Sequence, residues 1–163
     1  MNTGISSEYG KRIMNAIADG TTMSFPTPYV GLLDENGQEI SYPEYCRVAI
    51  NVTGIEGKTI MADAVTETIT ETQTCTDADG NETTYTETKV KSSVQNQDYI
   101  YFPENETGSP VTVAALGIFT AKSGGSAYLT GYLKNSRNEK ITVTVNTNAI
   151  PIFRIGKFKV SLK

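Results

Sequence analysis

The sequence predicts an all-β protein: an antiparallel β-sandwich with a short N-terminal helix and a long, projecting Thr-rich β-hairpin. Three observations predict it. Residues 111–163 break into short β-branched and aromatic runs separated by Gly, Asn and Ser clusters, the pattern of strands joined by tight turns. Threonine recurs at 66, 68, 70, 72, 74 and 76, a period of two that only a strand presents as one face. One segment near the N-terminus has a helical period, and no second helix is available to pair with it. At 163 residues the chain is expected to form a single β-sandwich domain over 1–163, large enough for a core, with residues 64–91 inserted as a hairpin arm.

Ser6 or Ser7 can cap a helix running to Asp19, with Glu8 in the first turn and Gly20 available for a left-handed stop. Tyr9, Ile13, Ala16 and Ile17 make one apolar stripe. Packing of that stripe on its own domain is the favoured expectation. A neighbouring subunit is the alternative, which makes Tyr9, Ile13 and Ile17 candidate assembly contacts.

Pro26 and Pro28 set a loop over residues 21–28. Tyr29-Val30-Gly31-Leu32-Leu33 has no charged side chain and reads as a buried strand. Asp34-Glu35-Asn36-Gly37 is a turn, after which residues 38–41 pair back. Residues 45–53 are expected to form one strand, with Cys46, Val48 and Ile50 on one face and Cys46 as a small core residue rather than a nucleophile. Gly54 and Gly57 bracket the next turn.

The Thr-rich stretch turns at Asp77-Ala78-Asp79-Gly80-Asn81 and repeats its alternation at Thr84, Thr86 and Thr88. A three-residue loop, Asp79-Gly80-Asn81, would place Ala78 opposite Glu82 and pair Thr76 with Thr84, Thr74 with Thr86 and Thr72 with Thr88. It would also place Glu71 opposite Lys89 and Cys75 opposite Tyr85. Such a hairpin is polar on both faces and has no core of its own. It is therefore expected to reach solvent or lie along another subunit, with Thr72, Thr74, Thr76, Tyr85 and Thr86 as candidate contacts. A disordered Thr/Glu loop is the alternative. Asp77, Asp79 and Asn81 have the spacing that opens a calcium loop, but Glu82 and Thr88 stand where that loop needs Gly and Glu, so a plain turn is preferred.

Further strands are expected at residues 99–103, 111–120, 127–133, 141–145 and 152–162. The Tyr99/Tyr101 and Tyr128/Tyr132 pairs suit core packing on one sheet face better than an interface.

Composition narrows the chemistry. The chain has no histidine, which removes histidine-based triads, zinc sites and general bases. No phosphate-cradling glycine loop is present. A net charge of −4 argues against a nucleic-acid partner held by electrostatics. Cys46 and Cys75 are expected to remain thiols. No hydrophobic leader precedes the helix and no apolar run is long enough to span a membrane, so the Asn-X-Thr triplets at 51, 81 and 105 are read as chance matches. No enzyme activity, metal or cofactor is expected.

The order of blocks resembles a family of small virion proteins of tailed bacteriophages, commonly described as tail fibre proteins, some of which decorate the head. The blocks are the helix around Tyr9-Gly10-Lys11, Tyr29-Val30-Gly31-Leu32, Glu44-Tyr45-Cys46-Arg47-Val48-Ala49 and Tyr99-Ile100-Tyr101-Phe102-Pro103. Leu116-Gly117-Ile118-Phe119, Ser123-Gly124-Gly125, Leu129-Thr130-Gly131-Tyr132-Leu133 and the final Phe158-Lys159-Val160-Ser161-Leu162 follow. Residues 54–97 depart from that layout. The resemblance implies a β-sandwich, no catalytic residues and a place in the virion, assembled in the bacterial cytoplasm. The expected role is structural, first as a capsid decoration or cement protein bound to the major capsid protein. A tail or tail-fibre protein is the alternative, and a host-glycan-binding module using Tyr128 or Tyr132 is the second class. A homo-oligomer is expected, with no nucleic-acid or membrane partner.

Overall fold

The computed structural model describes residues 4–23 and 26–162. Along the chain run β1 (Gly4–Ile5), α1 (Ser7–Asp19), β2 (Tyr29–Leu33), β3 (Val48–Ala49), β4 (Val65–Thr76), β5 (Glu82–Gln95) and β6 (Ile100–Tyr101). Then come β7 (Val111–Val113), β8 (Ala115–Phe119), β9 (Leu129–Tyr132), β10 (Val143–Val145), β11 (Ile152–Phe153) and β12 (Lys159–Leu162). The fold is all-β, and every described ladder is antiparallel.

One layer is a five-stranded sheet in the order β1-β9-β8-β2-β3. The other is broken into short ladders, β10-β7, β11-β6 and β12-β5-β4. Val30, Leu32 and Ile118 of the sheet meet Ile100, Val113 and Val145 of the ladders, and Phe102 and Phe158 beside them, in the main core. Leu33, Ala115 and Phe119 form a second cluster. This accounts for the lack of alternation in the β2 sequence, because a strand buried on both faces needs apolar residues at every position.

Gly31 and Gly117 are register partners at the centre of β2 and β8. A Cβ at either position would come within 2.8 Å or 2.7 Å of the Phe119 ring. The space they leave is filled by that ring, and Arg47 lies over it at 3.4 Å from the centroid. Arg47 is buried and holds Glu39 through two hydrogen bonds of 2.8 and 2.6 Å, and it donates to the carbonyls of Ala121 and Gly124. Tyr45 completes the group: its hydroxyl donates to Glu39 and accepts from the Leu32 backbone N–H.

Several expectations are corrected here. Residues 45–53 do not form one strand, since β3 is confined to Val48–Ala49. Cys46, expected in the core, is half-buried outside it, while its neighbour Arg47 is buried. Residues 111–120 divide into β7 and β8, and 152–162 into β11 and β12. Strand β1, unforeseen, adds the chain's first described residues to the edge of β9.

The helix spans its expected residues. Ser6 caps it by accepting from Tyr9 N–H, and Gly20 ends it at φ 71° with its N–H on the Ala16 carbonyl.

Three hairpins share one turn. At Asp34, Asp77 and Asn135 the first turn residue's side-chain oxygen accepts backbone N–H bonds from positions two and four residues on. The residue three positions on, Gly37, Gly80 or Asn138, has a left-handed φ of 80°, 86° or 64°.

That turn corrects the arm's register. The loop is Ala78-Asp79-Gly80, closed by Asp77 and Asn81, so it has the expected length but lies one residue earlier. Thr76 pairs with Glu82, Thr74 with Thr84, Thr72 with Thr86 and Thr70 with Thr88, while Cys75 faces Thr83 and Tyr85 faces Gln73. The shift moves every partner by two positions, which keeps threonine against threonine.

Candidate assembly surfaces

The β4–β5 hairpin is exposed on both faces along most of its length. Its faces differ in chemistry. One carries Thr66, Thr68, Thr70, Thr72, Thr74 and Thr76 against Ser92, Val90, Thr88, Thr86, Thr84 and Glu82. The other carries Val65, Glu67, Ile69, Glu71, Gln73 and Cys75 against Ser93, Lys91, Lys89, Glu87, Tyr85 and Thr83. On that charged face Glu71 lies directly opposite Glu87, and Lys89 Nζ offsets their repulsion by reaching both, at 2.8 and 3.0 Å. The hydrogen bonds that Lys89 donates to Glu71 and then Glu87 raise its ammonium above the usual lysine range.

The structure therefore separates the hairpin's candidate contacts. Thr72, Thr74, Thr76 and Thr86 share the Thr face. Tyr85 is on the charged face, where its hydroxyl donates to Gln73 at 2.6 Å. At the tip, Asp77 spends its carboxylate on the Asp79 and Asn81 N–H groups and on the Asn81 amide. The Asn81 bonds hold its pKa below the usual carboxylate range.

The helix stripe is divided too. Tyr9 is buried and stacks on Tyr128 at 4.6 Å between centroids. Ile13 is half-buried, and Ile17 and Met14 are 72% and 63% exposed. The first turn of α1 is thus anchored to the sheet, and its last turns present apolar side chains outward.

The tyrosines considered for glycan contact are engaged internally: Tyr128 lies under Tyr9, and Lys140 Nζ is 3.8 Å from the centre of the Tyr132 ring. Sequence reasoning missed a cleft of about 1160 Å³ that opens between the two layers. Leu116, Leu129, Leu133 and Phe153 contribute to its apolar lining, and Lys134 and Lys157 lie at its border. Its residues come from strands far apart in sequence, and no local pattern marks them.

Among the described residues no group of three or more His, Cys, Asp or Glu could hold a metal ion. No described helix is long and apolar enough to cross a membrane.

A β-fold whose outward features are a coreless hairpin and an apolar helix end fits a structural component of a phage particle, and comparison with known families places it there. The chain belongs to the family described as Podophage GP4 fiber I protein gp80, whose profile matches residues 4–161. The likeness to phage fibre proteins read from the block order is thereby borne out, and the family is one of virion structural proteins. No curated protein matches the chain.

Proposed function

We propose that this protein is a fibre subunit of the podophage virion, without enzymatic activity, held to neighbouring structural proteins by its hairpin and helix. The observation that carries the reading is the β4–β5 hairpin: strands of 12 and 14 residues exposed on both faces except at the base of β5. A two-stranded polar ribbon is marginal alone in water, so a partner surface is its natural complement. The outer edge of β4 also offers unpaired backbone groups for strand addition. Residues 64–91 then act as an arm inserted in a single domain. Thr72, Thr74, Thr76, Thr86, Tyr85, Ile13 and Ile17 are contact residues, whereas Tyr9 anchors the helix. Repetition of the subunit converts modest contacts into firm attachment by avidity.

The fibre description of the family favours the tail. Decoration of the capsid, the first expectation from the sequence, would use the same contacts against the major capsid protein. The test is to separate purified virions into heads and tails, quantify the protein in each by mass spectrometry, and incubate purified protein with tailless heads. Recovery with tails and no saturable head binding is the expected result. Saturable co-sedimentation with heads, and absence from tails, would replace the fibre role with decoration.

A further inference from the structure

The hairpin's charges are sorted by face. The Thr face presents nine threonines, Ser92 and Val90, and its single charge, Glu82, is next to the tip. Glu67, Glu71, Glu87, Lys89 and Lys91 all lie on the other face. Solubility alone does not require such sorting. A surface that meets its own copy does, because each charge on it risks facing its own sign across the interface.

Threonine is suited to that encounter. A hydroxyl both donates and accepts, so a Thr row can bond to an identical row without a fixed polarity, and the methyl group supplies apolar contact. Cross-strand bonds between Thr74 and Thr84 and between Thr66 and Ser92 show these hydroxyls pairing within the hairpin. The face carries no aromatic ring for sugar stacking, since Tyr85 points from the other side.

We propose that the Thr face of the β4–β5 hairpin packs against the same face of a second copy of this chain. The proposal deepens the structural-subunit reading by naming the partner, and it is independent of where in the virion the subunit sits. Twelve ladder positions at ~3.3 Å give a face about 40 Å long and about 10 Å wide, hence roughly 400 Å² per copy. A pair buries roughly 800 Å² in total, below the usual size of a stable interface. Self-association through the hairpin alone is therefore concentration-dependent and becomes firm only in a multi-copy assembly.

The test uses the purified full chain. In a Cys75→Ser parent, Thr70→Cys, Thr72→Cys and Thr74→Cys sample the Thr face, and Thr83→Cys samples the charged face. Mild oxidation at rising protein concentration should yield covalent dimers from the Thr-face set and not from Thr83→Cys. Sedimentation equilibrium of Thr70→Lys/Thr74→Lys should show self-association weakened about tenfold or more, with Thr83→Lys unchanged. Circular dichroism of each variant checks that the fold is retained. Equal cross-linking from both faces, or no cross-linking with a monomer at every concentration, would overturn the proposal. Protection of the Thr-face cysteines from a thiol reagent by host polysaccharide, in a protein that stays monomeric at every concentration, would overturn the proposal and identify a glycan site instead. Recovery of the protein with heads rather than tails would defeat the fibre assignment and leave this interface standing.

Discussion

The carboxylate of Asp98 occupies the place that a side chain on residue 54 would take. A Cβ built on Gly54 would lie 2.5 Å from Asp98 Cγ. The turn from Gly54 to Lys58 has the same backbone bonds as the turns at Asp34, Asp77 and Asn135, with Gly57 at φ 79°. Here the acceptor comes from a distant strand connection: Asp98 Oδ2 takes the N–H groups of Glu56 and Lys58 at 2.9 and 3.3 Å. The fully buried Asp98 thus supplies from afar what an Asp or Asn supplies locally in the other three turns.

This exchange is testable as a cycle. Asp98→Ala should cost about 2–3 kcal/mol, since it strands two or more backbone donors that a charged acceptor satisfied. Gly54→Asp alone should cost about 1–3 kcal/mol by driving a Cβ into Asp98. The double variant Gly54→Asp/Asp98→Ala restores a local acceptor and removes the clash. Urea denaturation should therefore show it more stable than the sum of the single losses predicts.

Buried Arg47 and half-buried Glu39 form an ion pair with little margin for loss of the arginine. Arg47→Ala leaves Glu39 with Tyr45 as its donor and takes the guanidinium from the Ala121 and Gly124 carbonyls, and a loss of about 2–4 kcal/mol is expected, below that of a fully buried pair because Glu39 is partly exposed. Arg47→Met combined with Glu39→Leu should cost less than Arg47→Ala alone. Chemical denaturation that ranks the double replacement worse would show that the pair contributes more than relief of its own burial.

The protein should lose stability in alkali. Burial pushes the hydroxyls of Tyr42 and Tyr128 up from 10.0 to about 12. An unfolded chain releases these protons first, so the native state binds more protons between those values and stability falls as pH rises through them. The contribution is complete below pH 10. Denaturation midpoints should be level up to that pH and then decline, and ultraviolet titration should show late tyrosine ionisation. Tyr42→Phe should flatten part of the decline, at the cost of the bond that its hydroxyl donates to the Pro103 carbonyl.

Deleting residues 66–88 should leave a cooperatively unfolding protein that assembles poorly. The deletion spares Ser92–Gln95, where β12 pairs with the base of β5, and the core residues all lie outside it. A broad, non-cooperative melt in the deletion variant would show that the hairpin contributes to the core.

The sequence alone determined whatever is decided within a few residues. Ser6 and Gly20 fix the helix ends because capping is local. Threonine at every second position specifies strands because no other backbone places those residues on one face. Asp77 and Gly80 specify a tight turn. The register is the exception: the expected Asp79-Gly80-Asn81 loop and the observed Ala78-Asp79-Gly80 loop both keep Thr against Thr, and the Asx bonds of Asp77 select the second. Tertiary structure alone decided that Arg47 is buried, that Asp98 completes the turn at Gly54, that helix α1 buries Tyr9 while exposing Ile17, and that a cleft opens between the layers. Each of these depends on groups brought together from distant parts of the chain, and a side chain's neighbours across a core leave no periodic trace in its own segment.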